Sequence, residues 1–417
     1  MTKRAQIPKD SQFRSGRNLD FFIQPSHRWG VASSSSSETP GETRELLIHD
    51  LSRGGAGVAR EADGRVVFVP FTAPGDRVRV RILESEKRYA QAELVEVLEP
   101  SPSRAIPPCP VFGRCGGCQW QHLPYDLQWK TKFGGVRHAM DRVQIPWPTD
   151  STEFPAVHPF GYRNRIQLRG IGEKIGFFAP RSHDIIAIDG CPVTRDEINV
   201  GWEETRSLRP FDDKMYKVEV EVLAGGELRR MWNAPHAAGG FRQIHDDQNR
   251  KLKDWIATSL TPGRELLDLY GGSGNLSLDL VPRMARVDCV DTSSPTEARP
   301  VGTPTHFTFH RSPVLSWIMK RALQEPKLPK GMKSEGKDGR SAIVDPPREG
   351  LGRDFPEIFS SFDRLNVTEL VAVGCDPDSW ARDVSRFVRR GWRLERAAVL
   401  DFFPQTPHVE SVALLRR

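Results

Sequence analysis

The sequence predicts an α/β protein, with an open, doubly wound sheet in its C-terminal part and a small β-barrel near its N-terminus. Two patterns predict this. From about residue 236 strand-like apolar runs alternate with helical stretches, the order that packs helices on both faces of a largely parallel sheet. Between residues 45 and 99 the short alternating runs LLIHDL, RVVFVPF, DRVRVRILE and AELVEVLE are separated by turn signals. Four or five short strands so closely spaced close into a small barrel.

Taken in order, residues 1–44 are basic, contain the run Ser33–Ser37 and lack apolar periodicity, so they read as a disordered tail. Lys3, Arg4, Arg14 and Arg17 give that tail a means of touching RNA. In the barrel, residues 45–99, the turns are Gly54-Gly55-Ala56-Gly57, Ala62-Asp63-Gly64 and Pro74-Gly75-Asp76. Arg77, Arg79 and Arg81 fall at a period of two and therefore share one face, which suits a nucleic-acid backbone. Residues 100–235 form a central region with a cysteine cluster and the β-like segments RIQLRGI, KIGFFA and DIIAIDG. In residues 236–417 LKDWIATSL reads as a helix, ELLDLY as a buried strand and NLSLDLVPRM as the following helix. SAIVDPP, ELVAVGCDP, RLERAAVLDFF and SVALLRR read as further strands, and the lysine-rich stretch 326–340 as an exposed loop.

The chain has 417 residues, 60 Lys plus Arg against 54 Asp plus Glu, and a formal charge of +6, a modest basic excess that fits a polyanionic partner. No apolar run approaches the ~20 residues of a membrane span, and no apolar core follows the basic start MTKRAQIPKDSQF, which excludes a membrane protein and a secretory signal. A cytoplasmic, monomeric protein is expected. In a reducing compartment its six cysteines are metal ligands or catalysts rather than disulfides.

Five constellations carry chemistry. In Glu265-Leu-Leu-Asp-Leu-Tyr-Gly-Gly-Ser-Gly-Asn275 a buried strand meets a glycine-rich turn, which places Asp268, Tyr270, Gly272, Gly274 and Asn275 at the carboxyl edge of the sheet. Asp291 ends the next strand, ARVDCVD, where an acid can bind ribose hydroxyls. The pattern suits S-adenosylmethionine as well as a dinucleotide. Cys109, Cys115 and Cys118, with Cys191 downstream, can form a four-sulfur site for zinc or an iron–sulfur cluster, and spacing does not decide between the two. Cys375 in Val-Gly-Cys-Asp-Pro lies where a strand meets a loop at the same edge. Asp345 in Asp-Pro-Pro-Arg348 points into the cleft, and Glu410 in Pro-His-Val-Glu-Ser lies near the same edge. Cys289 reads as core, and His310 and Arg311 are possible contacts to cofactor or RNA.

From about residue 46 to the C-terminus these motifs resemble the RNA uracil-C5 methyltransferases, which make 5-methyluridine, and most closely their 23S ribosomal RNA branch, which carries a TRAM domain and a [4Fe–4S] cluster. RVVFVPFTAPGDRVRVRI resembles TRAM, an RNA-binding barrel; PPCPVFGRCGGCQWQHLPYDLQ and Gly190-Cys191-Pro192 resemble the cluster motif; and Tyr162-Arg163-Asn164-Arg165-Ile166-Gln167 matches a further family segment. The resemblance implies an iron–sulfur cluster on Cys109, Cys115, Cys118 and Cys191. It also implies that Phe241 and Gln243 hold a flipped uracil and the cofactor region, that Cys375 is the nucleophile and that Glu410 is the general base. In that chemistry the Cys375 thiolate adds to C6 of uracil, C5 becomes nucleophilic towards the methyl of S-adenosylmethionine, and a base removes the C5 proton before the cysteine leaves. Asp345 would accept from uracil N3–H and border the cofactor, and Arg348 would face the developing ring charge.

Gly374 and Asp376 stand where the family usually has Ser and Asn. Asp376 is expected to raise the Cys375 pKa unless a cation compensates. Thr292–Pro304 looks too short for the usual helix after the ribose-binding acid. The same chemistry on transfer RNA, or an RNA-binding or assembly factor with weak or lost catalysis, is the alternative function.

Overall fold

The computed structural model describes residues 41–210, 214–234, 243–295, 302–325 and 339–417. The chain divides into two compact units, residues 1–50 with 57–102, and residues 51–56 with 103–417. Most of the expected tail lies outside the described residues, but Thr43 and Arg44, placed in it by sequence, already begin a strand.

The first unit is built on β1 (Thr43–Leu47), β2 (Asp50–Leu51), β3 (Gly57–Arg60), β4 (Val66–Val69), β5 (Arg77–Ser85) and β6 (Tyr89–Glu99). They form one sheet in the order β1-β5-β6-β4-β3-β2. Its two edge strands are consecutive in the chain, so the sheet curls back on itself around Val67, Val69, Val78, Val80 and Ile82. Arg77, Arg79 and Arg81 do share the outer face. They do not form a free basic surface, because Arg77 pairs with Glu45 and Glu99, Arg79 with Glu45 and Glu96, and Arg81 with Glu93. The ladder pairing that sets each arginine opposite or beside a glutamate neutralises the face expected to meet RNA.

The second unit contains two sheets. Its first elements are α1 (Tyr125–Arg142) and β7 (Asp150–Phe154). A five-stranded antiparallel sheet then follows from β8 (Arg165–Ile171), β9 (Lys174–Phe178), β10 (Ile185–Ala187), β11 (Tyr216–Val222) and β12 (Leu228–Trp232). Its order is β10-β9-β8-β11-β12, and the short helices α2 (Asp196–Val200) and α3 (Trp202–Ser207) precede β11.

The large sheet takes β13 (Glu265–Leu269), β14 (Arg286–Asp291), β15 (Phe307–Arg311), β16 (Arg340–Val344), β17 (Val367–Gly374), β18 (Arg393–Leu400) and β19 (Glu410–Arg416), with β7 at its edge. In the order β15-β14-β13-β16-β17-β19-β18-β7 the first five strands are parallel, and β19 runs against both its neighbours. Helices α4 (Asp246–Ser259), α5 (Val314–Leu323), α6 (Phe355–Arg364) and α7 (Pro377–Val388) alternate with these strands. Two apolar cores, one around Phe355, Phe362, Trp380 and Phe387 and one around Leu252, Trp255, Phe307 and Phe402, bury the sheet. Fully buried strands of this kind read as continuous apolar runs, which is why they were legible in sequence.

Strand order reverses at β13, which lies between β14 and β16, so a crevice opens beyond the carboxyl ends of these strands. One element differs from expectation there. NLSLDLVPRM is not an α-helix: only Leu278–Arg283 is helical, as a 3₁₀ turn containing Pro282, which cannot donate to an α-helical ladder.

Candidate active site

The cofactor side of the crevice is made by β13 and β14. Asp268 is fully buried, accepts a 2.5 Å hydrogen bond from Ser277 Oγ through Oδ2, and holds Oδ1 buried without a hydrogen-bond partner. Its pKa is raised to about 6, by burial first and by Asp291, against the lowering effect of the Ser277 hydroxyl and Cys289 thiol. The turn that follows is left-handed at Tyr270, Gly272 and Gly274, with φ of 64°, 55° and 79°. A β-carbon on Gly271 would lie 2.5 Å from Asp268 Oδ2 and 2.6 Å from Cys289 Sγ, so this backbone has no room for a side chain.

Asp291 ends β14, and its Oδ1 accepts from Ser293 N (2.6 Å) and Ser293 Oγ (2.7 Å). Ser294 Oγ donates to Gly272 O at 2.9 Å, tying that segment to the glycine turn. An orphaned buried carboxylate oxygen, a bare turn and a second acid on the adjacent strand suit a ligand with a cationic amino group and ribose hydroxyls. S-adenosylmethionine has both, so the residues fit it.

Asn275, expected to bind the cofactor, exchanges two 3.0 Å hydrogen bonds with Asn249 of α4, one through each end of its amide. His310 is occupied elsewhere, with Nε2 at 2.7 Å from Asp288 Oδ1 and its ring 4.9 Å from Trp317.

The reactive side is made by β16, β17 and β19. Half-buried Cys375 is the first residue after β17, and Glu410 is the buried first residue of β19. Asp345 follows β16, its N–H donating to Leu269 O at 3.3 Å. Burial first, then Glu410 and Asp345, raise the Cys375 thiol to about 11, with Arg348 opposing them. Burial and then Asp345 raise Glu410 as well, again with Arg348 opposing. Asp345 is raised by burial and by Asp268 and Asp291. Cys375, Glu410, Asp345, Arg348, Asp268 and Asp291 therefore form one electrostatic neighbourhood.

The two departures at the nucleophile loop have physical causes. Asp376, expected from the sequence to raise Cys375, is not among the largest influences on that thiol. Its Oδ1 caps α7, accepting from Asp378 N (3.1 Å) and Ser379 N (2.9 Å), so its charge is held by a helix N-terminus. Gly374 packs closely, because a β-carbon there would lie 3.0 Å from Cβ and Cδ1 of Trp380.

Gln243 is anchored through its backbone: Asn164 Nδ2 donates to Gln243 O at 3.0 Å, and Asn164 N to Ile244 O at 3.0 Å. This gives the Tyr162–Gln167 segment, left without a role by sequence, the task of holding the strand of chain that carries Gln243. Phe241 lies outside the described residues. So do 326–338 of the lysine-rich loop and 296–301 of the stretch after Asp291.

The four clustered cysteines converge. Every pair among Cys109, Cys115, Cys118 and Cys191 interacts electrostatically. Burial raises each thiol, Cys118 to about 12 and Cys191 to about 11. Backbone amides face three of the sulfurs: Val111 and Phe112 at Cys109, Gly117 at Cys115 and Val193 at Cys191. Yet among the described residues no three His, Cys, Asp or Glu side chains stand close enough to hold a single metal ion.

Comparison with known proteins settles the family. A profile described as TRAM domain matches residues 37–95, and one described as tRNA (Uracil-5-)-methyltransferase matches residues 321–417. The 23S rRNA (uracil(1939)-C(5))-methyltransferase of Chromohalobacter salexigens is 31% identical, over 89% of this chain and 89% of its own length. This chain belongs to the RNA uracil-C5 methyltransferase family. An uncharacterized RNA methyltransferase of Bdellovibrio bacteriovorus is 30% identical over 90% of this chain and 95% of its own. The crystal structure of the Pyrococcus abyssi tRNA (uracil-54, C5)-methyltransferase in complex with S-adenosyl-L-homocysteine shares the fold. Its TM-score is 0.62 at 23% identity, over 89% of this chain and 99% of that one.

For a uracil-C5 methyltransferase the site has a residue that sequence reasoning left without a role. His408 is half-buried, and its Nε2 lies 3.4 Å from Arg348 Nη2. Its place in Pro-His-Val-Glu-Ser was visible, but the arginine it meets comes from a different strand end.

Proposed function

We propose that this protein methylates C5 of one uridine in 23S ribosomal RNA, using S-adenosylmethionine and a covalent adduct between Cys375 and C6 of the ring. The observation that carries the mechanism is the juxtaposition of Cys375 and Glu410 at one sheet edge, with Arg348 as the opposing cation. The ribosomal target is supported by the identity with the 23S relative over nearly the whole chain. A cytoplasmic location follows from such a substrate, and among the described residues no helix is long and apolar enough to cross a membrane.

Asp268, the glycine turn and Asp291 would hold S-adenosylmethionine, which would supply an electrophilic methyl group. The residues do the rest. A Cys375 thiolate adding to C6 pushes electron density towards C5 and O4. The guanidinium of Arg348 faces that growing negative charge. Asp345 accepts from N3–H and fixes the ring. Once C5 carries both hydrogen and methyl, Glu410 takes the proton, the C5–C6 double bond re-forms and Cys375 leaves as thiolate. The target base reaches this edge only by leaving its stack.

The four converging thiols, with amides facing three of them, supply the charge and hydrogen bonding of a thiolate-ligated cluster. By ligand type and number the four thiols suit an iron–sulfur cluster. It would brace the loop-rich start of the central region 100–235, ahead of the catalytic domain 236–417.

The test is incubation of the metal-intact protein with labelled S-adenosylmethionine and unmodified total RNA, mapping 5-methyluridine by mass spectrometry. A single site in 23S rRNA is expected. A transfer RNA site would retain the chemistry and overturn the target, and RNA binding without transfer would overturn the enzyme mechanism.

A further inference from the structure

The loop between β18 and β19, which delivers His408 and Glu410, is fixed from the far side by groups that take no part in the chemistry above. Gln405 is buried and left-handed, with φ of 68°, a conformation a non-glycine residue keeps only when its surroundings impose it. Gln128 of α1 imposes it: Gln405 N donates to Gln128 Oε1 at 3.0 Å, and Gln128 Nε2 donates to Gln405 Oε1 at 3.0 Å. The carbonyl of Gln405 accepts from the backbone amides of Gln119 and Trp120, both at 3.0 Å. Tyr162 Oη donates to Pro404 O at 3.1 Å. Lys132 Nζ, wholly buried, donates to Asp401 Oδ1 at 2.6 Å and Phe403 O at 3.0 Å.

This rigidity is handed on to His408. Thr406 Oγ1 accepts from His408 N at 3.3 Å, and the Phe403 ring meets the imidazole edge-on at 5.9 Å. In this setting His408 Nε2 lies 3.4 Å from Arg348 Nη2. Arg348 is exposed, and Ser379 Oγ donates to its backbone carbonyl at 2.6 Å. Among the described residues, no hydrogen bond or ion pair of its guanidinium other than that with His408 is resolved.

We propose that His408 is a positioning residue, whose unprotonated Nε2 accepts from Arg348 and aims the guanidinium at the Cys375–Glu410 pair. This rests on the reading of those two residues as nucleophile and base. The accepting role needs a neutral ring, and burial, with the cations Arg348 and Lys132 facing it, lowers the His408 pKa to about 4.

The experiment is a double-mutant cycle on the full-length protein. It uses His408→Ala, Arg348→Ala and the double variant, with His408→Gln as the substitution that keeps an acceptor. The readouts are the rate of covalent adduct formation with 5-fluorouridine-substituted RNA, the RNA dissociation constant, and the melting temperature as a control on folding. His408→Ala should slow adduct formation about tenfold with little change in RNA affinity, His408→Gln should recover most of the rate, and His408→Ala should cost nothing further once Arg348 is alanine. Full additivity of the two losses, or an equal loss in the Gln and Ala variants, would overturn the proposal. If Cys375→Ala retains full methyl transfer, the underlying reading falls, and this one falls with it.

Discussion

Cys375 stands opposite Glu410 across the antiparallel pair β17–β19, one step beyond the register that sets Gly374 against Ser411. Opposed residues in such a pair project to the same side. The thiol and carboxyl therefore share one face, and the Glu410 carboxylate resists ionisation of the thiol. Replacing Glu410 by Gln removes a negative charge and must lower the thiol pKa from its value of about 11. Iodoacetamide labelling of Cys375 should then show a midpoint at lower pH than in the parent protein. The same variant should accumulate the RNA adduct and release no methylated product, because the C5 proton has no acceptor.

Asp376 gives the opposite expectation. Its carboxylate is spent on the N-terminus of α7, so Asp376→Ala should cost about 1 kcal/mol of stability. The pH dependence of Cys375 labelling should stay as it was. Thermal melting and the labelling profile measured on one preparation check both halves.

Asp268 links stability to function with a definite sign. Its pKa in the folded chain, about 6, lies above its ordinary value. The folded state therefore holds a proton that the unfolded chain releases, and the carboxylate's destabilising effect grows as pH rises from about 4 to about 6. Asp268→Asn should remove that slope from the melting temperature and raise stability at neutral pH by about 2–3 kcal/mol. S-adenosylmethionine binding by calorimetry should weaken at the same time, since the buried oxygen without a partner is gone.

The thiol set predicts a metal signature. Protein purified without oxygen should be brown and contain iron and acid-labile sulfide. Cys191→Ala should lose most of both, because the other three sulfurs all face it. Zinc in place of iron would contradict the cluster.

Much of this was legible because it lies close in sequence. The glycine turn after β13, the acid at the end of β14 and the loop residues after β16 and β17 each announce themselves within a few positions of an apolar strand. What was hidden lies across the chain. Helix α1 escaped notice because its buried face includes Gln128 and Lys132, which break the apolar periodicity; both are buried for partners some 270 residues away. The glutamates that neutralise Arg77, Arg79 and Arg81 come from β1 and β6, so only the register reveals them. Asp376 read as a charge beside a thiol because its other neighbours, the amides of α7, are invisible in a one-dimensional pattern.

The central claim is the covalent role of Cys375. Incubation with S-adenosylmethionine and RNA containing 5-fluorouridine tests it most directly, because the C5–F bond offers Glu410 no proton and the adduct cannot resolve. After denaturation and digestion, mass spectrometry should find the pyrimidine on the peptide containing Cys375. An adduct on another residue, or none from a preparation that methylates ordinary RNA, would contradict the mechanism.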